Sequence, residues 1–299
     1  MNLSKRLNAV ANLVTPGNRL ADVGTDHGYI PIELIKAGRI PWAAALDINK
    51  GPLQRAAEHI RREGLEKQIE TRLSDGLAKL RPQEADSVVI AGMGGGLMIQ
   101  ILERGEEILP SLKELILQPQ SEIEKVRRWL ENHDFSIQEE DMVLEDGKFY
   151  PMMRAVHGSM RLSGEIDAKY GPVLLHNKNS CLLEFLRWEA GIKEQVKERL
   201  QQSGGDSAAQ RMLEVEQALR WNQEAQLEFE KNKGCGQKMK NYVLYAAESD
   251  RAICNLGLFD CQEDALEYAR ENRDGVTKED YIVQEEWRAH FQREEENRF

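Results

Sequence analysis

The run from Arg19 to Pro31, RLADVGTDHGYIP, constrains the fold of this chain more than any other segment. Leu20, Ala21 and Val23 form a short apolar strand with Asp22 at its end, and Gly24 and Gly28 let the backbone turn tightly and come close to a ligand. Pro31 suits the first turn of a helix, so the run predicts a strand, an acidic turn and a helix. A second apolar strand, Ala43 to Leu46, leads into Asp47, 25 residues after Asp22. Nucleotide-binding folds place near this distance the carboxylate that accepts both hydroxyls of a ribose.

The turn suits an adenosyl ligand without phosphates better than a dinucleotide. A pyrophosphate site uses a middle glycine, where helix N–H groups face the phosphates; here Asp26 stands in that place and would repel them. A sulfonium is positively charged and carries no phosphate, so the acidic turn predicts S-adenosylmethionine rather than NAD. Ile69 to Ser74 alternates as a strand and leads into Asp75 and Gly76, where a carboxylate can meet an adenine amino group. Asp86 to Ala91 is nearly continuous in apolar residues, as central parallel strands are. It leads into Gly92-Met93-Gly94-Gly95-Gly96, a tip at which backbone can lie against a ligand. No GKS or GKT follows, which excludes a P-loop.

The predicted cofactor set is therefore Asp22, Gly24, Asp47, Ile48, Asp75, Gly76, Gly92 and Met93. Asp26, His27 and Tyr29, inside the first turn, are the candidate catalytic residues. Asp26 is placed to stabilise positive charge developing on a methylated base, His27 to touch cofactor or substrate, and Tyr29 to stack on the target base. The competing reading gives Asp26 and Tyr29 only the start of the helix, as caps. His59, His133, His157, His176 and His290 are isolated and read as surface or packing residues, as do the five tryptophans.

Strand and helix patterns alternate through residue 157, with strands expected near 19–24, 43–48, 69–74, 86–91 and 114–118. Phe135 to Leu144 and Phe149 to Val156 flank an Asp146-Gly147 turn and predict a hairpin. From Gly171 to Lys233 two long helical patterns flank Ser203 to Asp206, with Leu182, Leu186, Ile192, Val196 and Leu200 facing Met212, Val215 and Leu219; Gly234 to Gly236 breaks the second. Beyond lie strands at 242–247, 252–259 and 281–285, a helix at 262–273 and an acidic run at 294–297. The expected architecture is α/β: a Rossmann-like class I methyltransferase domain over 1–158 with a parallel sheet and a terminal antiparallel hairpin. An antiparallel helical hairpin follows over 159–235, then a small α+β module over 236–299.

The apolar runs are too short to span a membrane, and the N-terminus lacks a signal-peptide core; it reads as an amphipathic helix with Leu3, Leu7, Val10 and Val14 on one face. The four cysteines share no CxxC spacing, so neither a zinc site nor a disulfide framework is expected. These features predict a cytoplasmic chain with no membrane and no metal partner; no oligomeric state is predicted. The net charge of -11 opposes broad phosphate contact, yet seven of those excess charges fall in residues 240–299. An RNA surface would be local, drawing on Lys5, Arg6, Arg55, Arg61 and Arg62 beside Lys193, Lys197 and Arg199.

ADVGTDHGYIP at 21–31, Gly51-Pro52 after Asp47, Ser74-Asp75-Gly76, IAGMGG at 90–95 and ILQPQ at 116–120 together resemble the bacterial tRNA methyltransferases that modify N1 of adenine 22. The likeness covers about residues 1–235. It implies a class I fold with a helical hairpin, S-adenosylmethionine as cofactor and tRNA as partner. Asp47 stands where many members carry Glu, and Gln120 where Asn is expected; both keep the hydrogen-bonding type. Alternatives are another RNA-base or small-molecule methyltransferase, or a binding protein with an inactive cofactor fold. Asp22, Gly24, Asp47, Asp75 and Gly76 argue against the last.

Overall fold

Apolar strand-length runs separated by turn residues assemble into a seven-stranded sheet in the computed structural model, which describes residues 3–203, 206–230, 240–246, 251–259 and 281–286. The strands are β1 (Leu20–Val23), β2 (Ala43–Asp47), β3 (Ile69–Leu73), β4 (Ser87–Gly94), β5 (Glu114–Ser121), β6 (Phe135–Glu145) and β7 (Lys148–His157). Their order is β3-β2-β1-β4-β5-β7-β6. The first five pair in parallel and β7 pairs antiparallel with both β5 and β6. Strand order reverses between β2 and β4 around β1, which opens a crevice beyond the C-terminal end of β1, where α/β sheets bind ligands.

Both faces of the sheet are covered, which is why β1, β2, β4 and β5 read as unbroken apolar runs. Ala21, Val23, Ala44, Leu46, Val88, Ile90, Leu115 and Leu117 point to one side, against α4 (Gly95–Arg104) and α5 (Ile123–Asn132). Leu20, Ala43, Ala45, Val89 and Ile116 point to the other, against α1 (Lys5–Asn12), α2 (Tyr29–Lys36) and α3 (Lys50–Arg62). The N-terminal helix is amphipathic as expected: Val10 and Val14 are buried and Leu3 and Leu7 pack beside them. Ser4 caps it, and the Glu145 carboxylate accepts from the backbone N–H of Lys5 at 2.5 Å, tying α1 to the β6–β7 turn. That turn carries Asp146 at φ 50° and Gly147 at φ 73°, two consecutive left-handed residues, the geometry for which Asp-Gly is selected in hairpins.

The strand expected to stop at Ala91 instead runs through Gly92, Met93 and Gly94, with irregular register opposite β5. Gln118 explains the extension, since its Oε1 accepts the Gly92 N–H at 3.1 Å and holds the glycine tip to the sheet. Helix α4 starts at Gly95, where a side chain would collide with the Ser121 and Glu122 carbonyls at 2.6 and 2.7 Å. That glycine serves helix packing, not a ligand.

Two short helices unforeseen in the sequence, α6 (Glu165–Tyr170) and α7 (Pro172–His176), precede the long pair α8 (Ser180–Ser203) and α9 (Asp206–Glu230). A buried ion pair fixes them: Arg127 Nε donates to Glu140 Oε1 at 2.8 Å, Arg127 Nη1 reaches the Ala168 and Lys169 carbonyls, and Glu140 Oε2 accepts from Val173 N. Leu174, Leu182, Leu186, Ala225 and Phe229 then form a third core with Met142 of β6. Leu182, Leu186, Val215 and Leu219 are buried as expected, whereas Ile192, expected on the same face, is exposed. Trp188, expected to pack, is 52% exposed.

The chain divides into two compact units, Met1–Phe229 and Glu230–Phe299. In the second, β8 (Lys240–Ala246), β9 (Arg251–Phe259) and β10 (Tyr281–Glu286) form an antiparallel sheet in the order β10-β8-β9, close to the strands expected there. The break at 234–236, the helix at 262–273, Trp287, His290 and the acidic run at 294–297 lie outside the described residues. Among the described residues no helix is long and apolar enough to cross a membrane.

Candidate active site

The acidic turn after β1 is held open by its neighbours. Gly24 N and Thr25 N both donate to the Leu46 carbonyl, at 2.8 and 3.0 Å, so the turn leaves the sheet over the end of β2. Gly24 is left-handed at φ +75°, and a Cβ there would sit 2.1 Å from the Met93 methyl, so a larger residue would strain the turn and force the Met93 side chain aside. His27, at φ 63°, and Gly28, at φ 67°, are consecutive left-handed residues that aim the chain into α2. Gly28 is the N-cap residue of α2, and no side chain caps it. The reading of Asp26 as a helix cap is thereby overturned.

Asp26 is instead the end of a chain of contacts from α3. Its Oδ1 accepts from Arg55 Nη2 at 3.1 Å and lies 3.3 Å from His27 Nε2. The His27 ring stacks on Tyr29 with centroids 5.1 Å apart and planes 7° from parallel, and both stack against His59. His59 Nδ1 also bonds the His27 carbonyl at 3.1 Å. His59, which the sequence suggests is isolated, thus belongs to the site; one helical turn from Arg55, it supports the strained His27 backbone.

Around this turn lies a cavity of about 410 Å³ whose wall includes Asp22, Gly24, Asp26, Tyr29, Ala91, Arg6, Glu145 and Tyr150. Three segments far apart in sequence converge there: the β1 turn, helix α1 and the β6–β7 turn. Arg6 donates to Gln118 Oε1 at 2.8 Å and lies over the Tyr150 ring at 5.5 Å. Gln118, fully buried, and Tyr150 have no local pattern that singles them out; ILQPQ, a motif at the end of an apolar strand, is the only sequence signal.

The remaining predicted residues line up along the same sheet edge. Asp47, at the end of β2, accepts from Asn49 N at 2.6 Å through its carboxylate, and its carbonyl takes Ser74 N at 2.8 Å, which brings the β3 end beside it. Ile48 is 61% exposed, an apolar side chain left on the surface next to Asp47. Asp75, exposed, pairs with Arg104 at 3.2 Å, and Gly76 is left-handed against Ile101. Asp47, Ile48, Asp75 and Gly76 do not line the cavity at Asp22; they flank it.

Electrostatically the centre of the site is Asp22. Burial raises its carboxyl pKa to about 6, the nearby Thr25 hydroxyl opposes this and the negative Asp47 adds to it. Thr25 Oγ1 is nonetheless buried without a partner at good hydrogen-bond geometry, and so is His27 Nδ1. Buried unpaired polar atoms are costly, and two of them in one turn mark a place where a ligand completes the bonding.

Residues 3–153 match the model of a methyltransferase domain. The Bacillus subtilis tRNA (adenine(22)-N(1))-methyltransferase is 33% identical over 214 residues, which cover 68% of this chain and 87% of the relative. The chain belongs to this methyltransferase family. A Mycoplasma capricolum family member, TrmK, solved with S-adenosyl-homocysteine, is 28% identical with a TM-score of 0.67, covering 76% of this chain and 99% of its own. A Streptococcus pneumoniae protein solved with S-adenosyl-L-methionine is 33% identical with a TM-score of 0.67, covering 75% of this chain and all of its own. Among the described residues, no group of three or more His, Cys, Asp or Glu side chains is placed to hold a metal.

Proposed function

We propose that this chain transfers a methyl group from S-adenosylmethionine to N1 of adenine 22 in tRNA. The observation that carries the reading is the cavity at the end of β1, where Asp22, Asp26 and Tyr29 face Arg6 and Tyr150 beside the unpaired Thr25 hydroxyl. The residues fit a sulfonium ligand: two carboxylates face the cavity, the turn offers no phosphate cradle, and the orphaned polar atoms await a partner. Asp47 would take the ribose hydroxyls, Ile48 and Asp75 the adenine, and Asp22, Gly24, Gly92 and Met93 the methionyl end.

The cofactor supplies an already activated methyl group, so little covalent work is left to the protein. Its residues hold the target N1 in line with the methyl and exclude water. Tyr29, stacked on His27, presents an aromatic face to a base that has left its stack. Methylation leaves positive charge on the ring, which the Asp26 carboxylate stabilises. Substrate RNA implies a cytoplasmic site of action. We further read the chain as a catalytic part over 1–158, a helical-hairpin part over 159–235 that grips RNA, and a module over 236–299 that chemistry does not need.

Transfer of tritiated methyl to total tRNA lacking this modification, followed by mass spectrometry, tests the reading. It requires 1-methyladenosine at position 22. Methyl transfer to another base, or to small molecules only, rejects it.

A further inference from the structure

The β6–β7 hairpin separates the catalytic cavity from a second one of about 500 Å³ on the side of α8. Tyr150 lines both. Phe149, Phe185 and Trp188 wall the second cavity; Phe149 and Trp188 have centroids 5.7 Å apart, and Phe185 and Trp188 5.9 Å. None of the three rings is buried, and Trp188 has half its surface exposed. A cluster of three flat rings left open side by side marks a binding surface.

The rim of this cavity is cationic and hydrogen-bonding. Lys148 is exposed and makes no ion pair among the described residues, and Gln120 offers an amide at the end of β5. Arg127 also touches the cavity, but its guanidinium is already bonded to Glu140 and two carbonyls, so it contributes structure rather than recognition. Gln120 also reaches back to the catalytic side, its Nε2 lying 3.7 Å from the position of a Cβ on Gly92. Aromatic faces with a cation at the rim are what single-stranded nucleic acid uses, because every base has a π-face and every linkage a negative charge.

We propose that this aromatic cavity binds a second unstacked nucleobase of the RNA substrate, stacked against Trp188 and Phe149 while the target base occupies the catalytic cavity. The inference rests on the RNA substrate proposed above. Lys148 meets the phosphate between the two bases, and Tyr150 forms the partition. The hairpin thereby reads one strand on both of its sides, and the volume lies within the range of small-ligand sites.

Tryptophan emission and steady-state kinetics on the full chain test this together. Addition of unmodified tRNA should quench emission of the parent protein, and Trp188→Phe should lose most of that quench while its KM for tRNA stays close to parental, because Phe still stacks. Trp188→Ala should raise KM for tRNA roughly 5- to 150-fold, the range for loss of one base–aromatic stack, with kcat and S-adenosylmethionine affinity unchanged. A parental KM in Trp188→Ala, or a quench that survives in Trp188→Phe, overturns the second base site. Failure of the parent protein to methylate tRNA would count instead against the function proposed above, because the quench is read without catalysis.

Discussion

Arg6 Nη1 donates to Gln118 Oε1 at 2.8 Å, joining the first helix of the chain to the middle of the sheet across 112 residues. The same oxygen accepts the Gly92 N–H, so one buried amide sets both the glycine tip of β4 and the guanidinium that faces the cavity. Gln118→Leu keeps the volume and removes the acceptor, leaving the Gly92 N–H and Arg6 without this partner. We expect a loss of about 1–3 kcal/mol in urea unfolding. Methylation at saturating cofactor should fall further than stability alone explains, and Gln118→Glu, which keeps an acceptor, should recover part of the rate.

Asp22 predicts a pH dependence. Its carboxyl pKa is raised from 3.8 to about 6 by burial, so the folded state holds the proton more tightly than the unfolded chain. The stability this gives is present in full below 3.8 and is lost as pH rises to about 6, a change of about 3 kcal/mol. Asp22→Asn should flatten that part of the profile and be more stable than the parent at pH 7. A sulfonium favours the ionised form, so S-adenosylmethionine affinity should drop as pH falls below 6, with proton release on binding near that pH. Calorimetry in buffers of different ionisation enthalpy reads this directly; an unchanged profile in Asp22→Asn would show that another group titrates.

Asp47 is placed for recognition rather than rate. Asp47→Ala should weaken S-adenosylmethionine binding by roughly 1–3 kcal/mol, the cost of leaving the ribose hydroxyls unpaired. NAD should not bind measurably to the parent, since Asp26 sits where a diphosphate would lie. Tighter binding of NAD than of S-adenosylmethionine in calorimetry would contradict the assignment of the turn.

Local signals revealed the fold better than the site. Apolar runs of strand length, the Asp146-Gly147 turn and the 3.6-residue spacing of α8 and α9 each encode their element within a few residues. The long-range partners had no such encoding. His59 reaches His27 only because α3 folds back over the β1 turn, and Arg6 reaches Gln118 only because α1 crosses the sheet. The same holds for Arg127 and Glu140, whose buried pair ties α6 and α7 to the catalytic sheet. Truncation after Gly158 would strip the Ala168, Lys169 and Val173 partners from that pair and uncover Met142, so it cannot cleanly separate catalysis from RNA gripping.

The C-terminal unit offers the cleaner deletion. Its boundary at Glu230 follows the last residue of the third core, and residues 240–299 carry 15 acidic against 8 basic side chains. Such a charge balance disfavours phosphate contact. Removal of 240–299 should leave both S-adenosylmethionine affinity and tRNA methylation near parental values. A large rise in KM for tRNA would give the unit a part in substrate binding.

Asp26→Asn decides whether the turn has a chemical role beyond positioning. Asp26 has two-thirds of its side chain exposed, and its contacts to Arg55 and His27 lie at the surface, so the substitution should cost under about 1 kcal/mol of stability. No helix cap is lost, because none is made. If the carboxylate stabilises the positive charge that builds on adenine, single-turnover methylation at saturating cofactor should fall roughly 10²- to 10³-fold while tRNA affinity holds. His27→Ala and Tyr29→Phe serve as companions: the first removes one ring of the three-ring cluster and should weaken cofactor or base binding, the second keeps the ring and should stay near parental if stacking is its role. A near-parental rate for Asp26→Asn at saturating cofactor would end the charge-stabilising role and leave alignment of N1 with the methyl group as the main source of rate.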